Sequence, residues 1–429
     1  MRKQGPMRIG IWCAYGRTLT PTEGIGVFTH AIARGLAGLP GVDDVQLVVH
    51  TGDEQAVEAT VAAGGGRIHV ATLDRQHWLD RWRWKSLRRR HRRICDRLAA
   101  GDRESQLAVR RDSIERKIDM LFARQRLMVP PGTPPRDVWL LPHIAVERPL
   151  AAPSVVIVHD MVPFHVAGVI KAADLESFRR RSQRMVARAT LVGTMSNTIR
   201  DIDIVGLLGC PHGKVRVVPA AAPDDLGEPA SRDALLAAVP AAARPFLLYP
   251  AALRVYKNHA RLIEALALVR LGGEPGMELI FTGFGTLPAD LARLVTSLGL
   301  TGAVHAVGSV PRPVLAAIYG AAAATVVPSL YEQGSFPVLE AIRCGCPATA
   351  SDIPALREAF AGFSDAVPLF DPQSPQAIAD AVLRVLADCD GVRRRQQDAV
   401  AALPPRSWAD AAADWLAVLR EAAVDNRAT

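Results

Sequence analysis

The chain has 429 residues and 46.1 kDa, with 51 Lys or Arg against 43 Asp or Glu, a formal charge of +8 and a pI near 9.5. That length exceeds what one hydrophobic core ordinarily supports, so two domains are expected, and an apolar content of 49% can fill both. Six scattered cysteines (Cys13, Cys95, Cys210, Cys344, Cys346, Cys389) without framework spacing exclude a disulfide-stapled scaffold and fit a reducing compartment; neither a signal peptide nor a membrane-crossing helix is expected, because no apolar run is long enough.

In chain order, "MRIGIW" reads as a buried strand, "TPTEGIGVFTHAIARGLAGL" as a glycine turn and an apolar-periodic helix, and "VQLVVH" as a second strand. This βαβ rhythm predicts a parallel sheet. After a basic segment, "DVWLLP" and "SVVIVHD" are short buried strands, "LESFRRRSQRMVARAT" a helix, and "LVGTMS" and "KVRVVP" further strands. The Pro-, Ala- and Asp-rich patch "PAAAPDDLGEPASRDALLAAVPAAARP" interrupts the pattern, and a domain boundary is placed there, near residue 225. The rhythm then restarts: "FLLYPA", "MELIFTG", "VHAVGSV", "ATVVPSL" and "PATAS" as strands, separated by the helices "HARLIEALALVRL", "LPADLARLVTSLGL", "PVLAAIYGAA" and "PVLEAIRCG".

The fold class expected is therefore α/β, with two doubly wound parallel-sheet domains over residues 1–225 and 226–405. The first carries a basic helical insertion at about 75–135, and an amphipathic helix over 406–429 has Trp408, Trp415 and Leu419 on its apolar face. Ligands of such sheets bind beyond the carboxyl ends of the strands, so the interdomain cleft is the expected site.

Residues 75–126 hold 17 Lys or Arg against 7 Asp or Glu, which leaves the rest of the chain slightly acidic. Trp78, Leu79, Trp82 and Leu87 interleave with the arginines, a mixture suited to a helix lying on an anionic bilayer. Nucleic acid would attract the same run, and a solvated hairpin packed on the first domain would also produce it.

The stretch "PSLYEQGSFPVLEAIRCGCP" places Glu332 and Glu340 on either side of a small loop at the mouth of a helix. Pro337 suits the first helical position and Gly345 the helix stop, so the amides from Gly334 to Val338 are expected at a helix N-terminus, where phosphate or sugar oxygens are favoured. Carboxylates flanking such donors suit vicinal sugar hydroxyls. Lys257, in the turn between "FLLYPA" and its helix, can neutralise a pyrophosphate. In "EGIGVF", Gly24 and Gly26 stand between strand and helix, where backbone can approach phosphate closely. His159 and Asp160 end a buried strand, and Gly283 and Gly285 form the turn "FTGFG".

The segment "PSLYEQGSFPVLEAIRCGCPATASDIPALREAF" resembles the donor-sugar motif of the retaining glycosyltransferases of family 4, enzymes of GT-B architecture with two Rossmann-like domains. The resemblance runs from "GIGVF" to "SWADAAADWL", with about 75 to 135 outside it. It implies that Glu332 contacts the donor sugar, that Glu340 holds the ribose, and that the amides of Gly334, Ser335 and Phe336 face the donor, although "EQGSFP" departs from the family's commoner Glu-Gly-Phe-Gly-Leu-Pro. It implies further that Lys257 binds the diphosphate, that Gly26 meets the leaving phosphate, that Gly283 lies beside the base and that His159 orients the reacting hydroxyl. The family's usual arginine falls on Ala252 here, so Arg254 is the nearest substitute.

The activity implied is retaining hexosyl transfer from a nucleotide sugar, GDP-mannose first and UDP-sugars next, to a glycan or lipid-linked acceptor in surface polysaccharide or lipopolysaccharide synthesis. The enzyme is expected in the cytoplasm or peripherally on the inner face of the membrane, without a cofactor or a bound metal, since "DID" at 201–203 falls in a predicted helix. No nucleic-acid partner is expected. Two other classes compete. A nucleic-acid-binding protein with an inert Rossmann-like pair would bind in a salt-sensitive way and turn over no sugar nucleotide. A dinucleotide-dependent oxidoreductase or epimerase is disfavoured because "GIGVF" lacks the full Gly-x-Gly-x-x-Gly and there is no Tyr-x-x-x-Lys.

Overall fold

Parallel strands covered on both faces read as continuous apolar runs, and the runs of this chain sort into two sheets. A computed structural model describes residues 6–14, 19, 24–73, 132–144, 153–221, 226–283, 285–334 and 336–425, with isolated positions from 86 to 117. The chain divides into two units, Met1–Met161 with Ile170–Ala221 and Arg406–Thr429, and Val162–Val169 with Ala222–Pro405. Most of the basic segment 75–126, including Trp78, Leu79 and Trp82, lies outside the described residues.

The first unit holds seven strands: β1 (Met7–Trp12), β2 (Val42–His50), β3 (Ile68–Leu73), β4 (Val138–Leu141), β5 (Ser154–Ile157), β6 (Leu191–Thr194) and β7 (Val215–Val217). All pairings are parallel, in the order β3-β2-β1-β4-β5-β6-β7, with Ile11 opposite Leu47 on one side and Leu140 on the other. β3 and the short helix Glu58–Ala63 before it are absent from the sequence reading. β3 is an edge strand, half-exposed along its length, so its apolar signal is weak.

The second unit holds β8 (Phe246–Pro250), β9 (Glu278–Thr282), β10 (Val304–Ala306), β11 (Ala324–Val327), β12 (Ala348–Ser351) and β13 (Leu369–Phe370), in the order β10-β9-β8-β11-β12-β13. The expected helices appear at His259–Leu271, Ala289–Ser297, Arg312–Ala321 and Phe336–Arg343. Two more, Pro375–Ala387 and Cys389–Ala401, were not anticipated. The Pro-rich patch is not all linker. Within it Arg232–Ala238 is helical, its first turn capped by Ser231 Oγ, which accepts from the Ala234 amide at 3.3 Å.

The last helix, Trp408–Asp425, belongs to the first unit and packs along the helix Gly24–Gly38 and across β4 and β5. Trp408, Trp415 and Leu419 form its buried face, as the periodicity predicts. Phe28 sits 6.0 Å from Trp415 and 6.2 Å from Trp408, both edge to face. A Cβ at Gly193 on β6 would stand 2.4 Å from the Trp415 ring, so only glycine leaves room for the indole against the sheet. Arg216 on β7 pairs with Glu421 at the far end of the helix.

Trp415→Ala should empty the space between helix and sheet and cost the first unit about 3–5 kcal/mol, read as a lowered denaturant midpoint. A midpoint unchanged within about 0.5 kcal/mol would mean that the helix contributes little to this core.

Candidate functional site

In the second sheet the strand order reverses between β8 and β11, and the loops leaving those two strands carry Lys257 and Glu332. Such a switch point opens a crevice at the carboxyl edge of a sheet, because the two connections run to opposite faces. The geometry there starts from Asn258, the only non-glycine residue with positive φ among the described residues (φ 62°). Asparagine tolerates this left-handed conformation better than most residues. Its buried amide donates to the carbonyls of Pro328 (2.9 Å) and Pro372 (2.8 Å), and its Oδ1 accepts from Arg261 (3.1 Å). One side chain thus stitches together the loops that follow β8, β11 and β13. The Leu330 amide adds a bond to the Tyr256 carbonyl at 2.8 Å.

On this frame Lys257 Nζ contacts Glu332 Oε1. The two side chains are only 19% and 13% exposed, so the pair is partly desolvated and each charge depends on the other. Burial acts to lower the Lys257 pKa, but the Glu332 charge outweighs it and the net shift is upward; the ammonium is a fixed cation across the physiological range. It also lies 5.3 Å from the Tyr256 ring centroid. Ser329 Oγ donates to the same Glu332 oxygen at 2.7 Å, and the Tyr249 hydroxyl lies 2.8 Å from Ser329 Oγ.

Glu340 stands on the helix Phe336–Arg343, half-buried, and its Oε2 accepts from the Tyr319 hydroxyl at 2.8 Å. Burial raises its pKa, while the Tyr319 bond and the Arg312 charge pull it down. The helix begins at Phe336, one residue before the expected Pro337; Gly334 is exposed, and Ser335 lies outside the described residues. Arg254 is exposed, and its carbonyl accepts from the Lys257 amide at 3.0 Å. Gly283, with φ 120°, has a packing reason of its own: a Cβ there would stand 2.9 Å from the Ala251 carbonyl carbon and the Ala252 amide nitrogen, so it lets the loops after β8 and β9 touch backbone to backbone.

In the first unit, Gly24 and Gly26 form the opening turn of the helix Gly24–Gly38 rather than a loop before it, and Gly26 is buried. His159, also buried, donates from Nε2 to the Pro142 carbonyl at 2.9 Å and meets Phe28 edge to face at 5.4 Å. That nitrogen is committed to tying together the ends of β4 and β5. Asp203, in the middle of "DID", lies in the π-helix Ile199–Leu207 and accepts from the Met161 amide at 2.8 Å, so its carboxylate secures backbone. Among the described residues no group of three or more His, Cys, Asp or Glu is placed to hold a metal ion.

Thus Lys257, Glu332, Glu340, Arg254, Gly283, Gly334 and Phe336 lie on the second unit, and Gly26 and His159 on the first. Sequence reasoning gave no role to Tyr249, Asn258, Ser329 or Tyr319. Tyr249 and Tyr319 carried one usable signal, because a tyrosine inside an apolar run needs a partner for its hydroxyl.

Residues 237–400 match the family described as "Glycosyl transferases group 1". The O-antigen chain mannosyltransferase B of Escherichia coli is 30% identical over 203 residues, which cover 47% of this chain and 52% of that protein. The chain thus spans about half the length of the curated relatives it matches. Among solved structures, sucrose-phosphate synthase from Thermosynechococcus elongatus superposes with a TM-score of 0.65 at 18% identity, covering 97% of this chain and 99% of that one. The Anabaena protein HepE, solved in complex with UDP-glucose, gives 0.62 at 16% identity, covering 99% and 100%. At these identities the likeness is one of fold, the GT-B pairing of two parallel-sheet α/β domains.

Two outcomes test the frame. Asn258→Ala should cost about 2–4 kcal/mol in chemical denaturation, because it strands two buried carbonyls and leaves in the left-handed region an alanine that tolerates it less well than asparagine; Asn258→Gly should recover only the conformational part. The second outcome concerns His259, buried between Tyr249 and Phe281. Burial, aided by the Lys257 charge and opposed by hydrogen bonds to the Ala251 and Arg254 carbonyls, brings its pKa down from 6.5 to about 4. The unfolded chain therefore takes up a proton that the folded one refuses, so this contribution is complete above pH 6.5 and is lost as pH falls toward 4. Wild type should lose about 2 kcal/mol more than His259→Phe between pH 7 and pH 5 in parallel denaturant titrations.

Proposed function

We propose, from the premise that residues 237–400 form a glycosyl transferases group 1 domain, that the protein is a retaining glycosyltransferase that moves a hexose from a nucleoside diphosphate to a glycan or lipid-linked acceptor. The observation that carries this reading is the convergence of Lys257 and Glu332 on the two loops that leave the switch point, with Glu340 on the helix that follows. A cation beside an acidic hydroxyl acceptor is what a sugar diphosphate requires.

In the reaction proposed, the bond between the anomeric carbon and the diphosphate oxygen breaks and its electron pair leaves with the diphosphate. The acceptor oxygen bonds the same face of that carbon, and its proton passes to the departing phosphate oxygen. Lys257 neutralises the charge growing on the diphosphate, which requires it to exchange part of its contact with Glu332 for phosphate; such a preorganised donor is worth a few kcal/mol in the transition state. Arg254, exposed on the same loop, is proposed to add a second positive charge. Glu332 accepts from sugar hydroxyls and Glu340 from the ribose, while the amides of Gly334, Ser335 and Phe336 and the turn at Gly283 complete the donor side. Gly26 and His159 are the first unit's proposed contributions. No protein nucleophile, bound metal or cofactor is needed in this scheme.

The relation to an O-antigen chain mannosyltransferase supports mannose as the sugar and surface polysaccharide as the product class, and we take GDP-mannose as the first donor to test, with UDP-sugars second. A cytoplasmic place of action follows from that reading. No helix among the described residues is long and apolar enough to cross a membrane. A peripheral role on an anionic surface is proposed on the charge of residues 75–126 alone, and equal co-sedimentation with neutral and anionic liposomes would remove it.

A thermal-shift panel of GDP-mannose, UDP-glucose and related nucleotide sugars tests the donor. At about 100 times its Kd, the true donor should stabilise wild type by about 2.7 kcal/mol and leave Lys257→Ala and Glu340→Ala with little of that gain. A panel in which no nucleotide sugar shifts the wild-type melting temperature or is turned over would overturn the assignment.

A further inference from the structure

Behind each of the two carboxylates stands a buried hydroxyl. Ser329, fully buried at the end of β11, gives its single proton to Glu332 Oε1 (2.7 Å), so the 2.8 Å contact with Tyr249 on β8 has the tyrosine as donor. The result is a directed relay, Tyr249 to Ser329 to Glu332, in which each bond polarises the next. Lys257 reaches the same Oε1 from the other loop. Tyr319, fully buried on the helix Arg312–Ala321, donates to Glu340 Oε2 at 2.8 Å. Among the described residues, Glu332 Oε2 and Glu340 Oε1 accept no protein hydrogen bond.

Each glutamate is therefore held by one oxygen and presents the other. The terminal torsion of a free glutamate is broad, with two nearly equivalent oxygens, so an unheld carboxylate must be ordered when a ligand arrives. A hydroxyl fixed in the core removes that freedom beforehand, which is how preorganisation improves affinity without adding contact area. With one oxygen engaged by the protein, the other is left to the ligand in a direction set before the ligand arrives.

We propose that Ser329 and Tyr319 are positioning residues for donor recognition, each orienting one glutamate so that its other carboxylate oxygen is offered to ligand hydroxyls in a fixed direction. The proposal rests on the nucleotide-sugar reading of the site and divides its labour. Tyr319 serves the part of the ligand shared by nucleoside diphosphate and nucleotide sugar, and Ser329 the part found only in the sugar.

Isothermal titration of the full chain with GDP, UDP, GDP-mannose and UDP-glucose tests it, using Tyr319→Phe, Ser329→Ala and the double variant Tyr249→Phe with Ser329→Ala, which leaves no orphaned tyrosine hydroxyl. Tyr319→Phe should weaken the nucleoside diphosphate and the nucleotide sugar equally, by about tenfold, the scale of one charge-assisted bond. Because the Tyr319 bond lowers the Glu340 pKa, its loss should also move the acid limb of nucleotide binding to higher pH. The two Ser329 variants should lose about tenfold more affinity for the nucleotide sugar than for the nucleoside diphosphate. Variants that bind as wild type does, or that lose melting temperature with neither the pH displacement nor the sugar-specific loss, overturn the inference while the nucleotide-sugar reading stands. A wild type that binds none of the four probes overturns that reading and this inference with it.

Discussion

Lys257 and Glu332 neutralise each other at the point where the order of the second sheet reverses, and the rest of the site is arranged to make that meeting possible. Two opposite charges on separate loops, each mostly withdrawn from water, hold only if the loops are fixed, since the desolvation cost is offset by close and well-partnered contact. The left-handed Asn258, its two bonds to the proline carbonyls and the Leu330 to Tyr256 backbone bond supply that fixing. The pair also sets the condition for ligand entry. An anionic group reaching Lys257 competes with a carboxylate already in place, so affinity is a difference between two ion pairs rather than the full strength of one.

The buried hydroxyls around the pair matter for the same reason. Tyr249, Ser329 and Tyr319 are core residues by exposure, yet each hydrogen bond they make ends, directly or through one intermediary, on a glutamate at the edge of the sheet. Their side-chain carbons and backbone belong to the apolar interior, which is why they are rigid, and their oxygens reach the site, which is why the carboxylates are rigid too. The first unit uses a different device. Phe28, Trp408 and Trp415 pack edge to face around the opening helix, and His159 is caught between Phe28 and the Pro142 carbonyl. Its histidine is fixed by packing and a backbone bond, and the glutamates of the second unit by hydrogen bonds and charge.

Much of the architecture follows from local pattern. Short apolar runs alternating with amphipathic helices leave few choices besides two parallel sheets, and four helices of the second unit, from His259–Leu271 to Phe336–Arg343, lie where periodicity places them, while Pro375–Ala387 and Cys389–Ala401 do not. The errors fall where the local signal is weak. β3 is a half-exposed edge strand, the helix Arg232–Ala238 hides in proline-rich sequence behind a serine cap, and the glycines of "EGIGVF" open a helix instead of preceding it. At the site, Glu332, Glu340 and Lys257 were legible through residue type, spacing and resemblance. The pairing of Lys257 with Glu332 was not, because 75 residues separate them and only the strand order brings them together.

The sequence by itself determined the two parallel-sheet α/β architectures and the acidic and basic residues at the strand ends, since these depend on periodicity and on side-chain chemistry within short windows. Tertiary structure alone decided that the last helix returns to the first unit, that His159 is bound to backbone, and that each glutamate is pinned by one oxygen. Apart from the Ser329–Glu332 bond, which lies within one turn, those are relations between residues tens to hundreds of positions apart. No local pattern encodes them, because what selects them is the simultaneous satisfaction of buried polar groups after the sheets have formed.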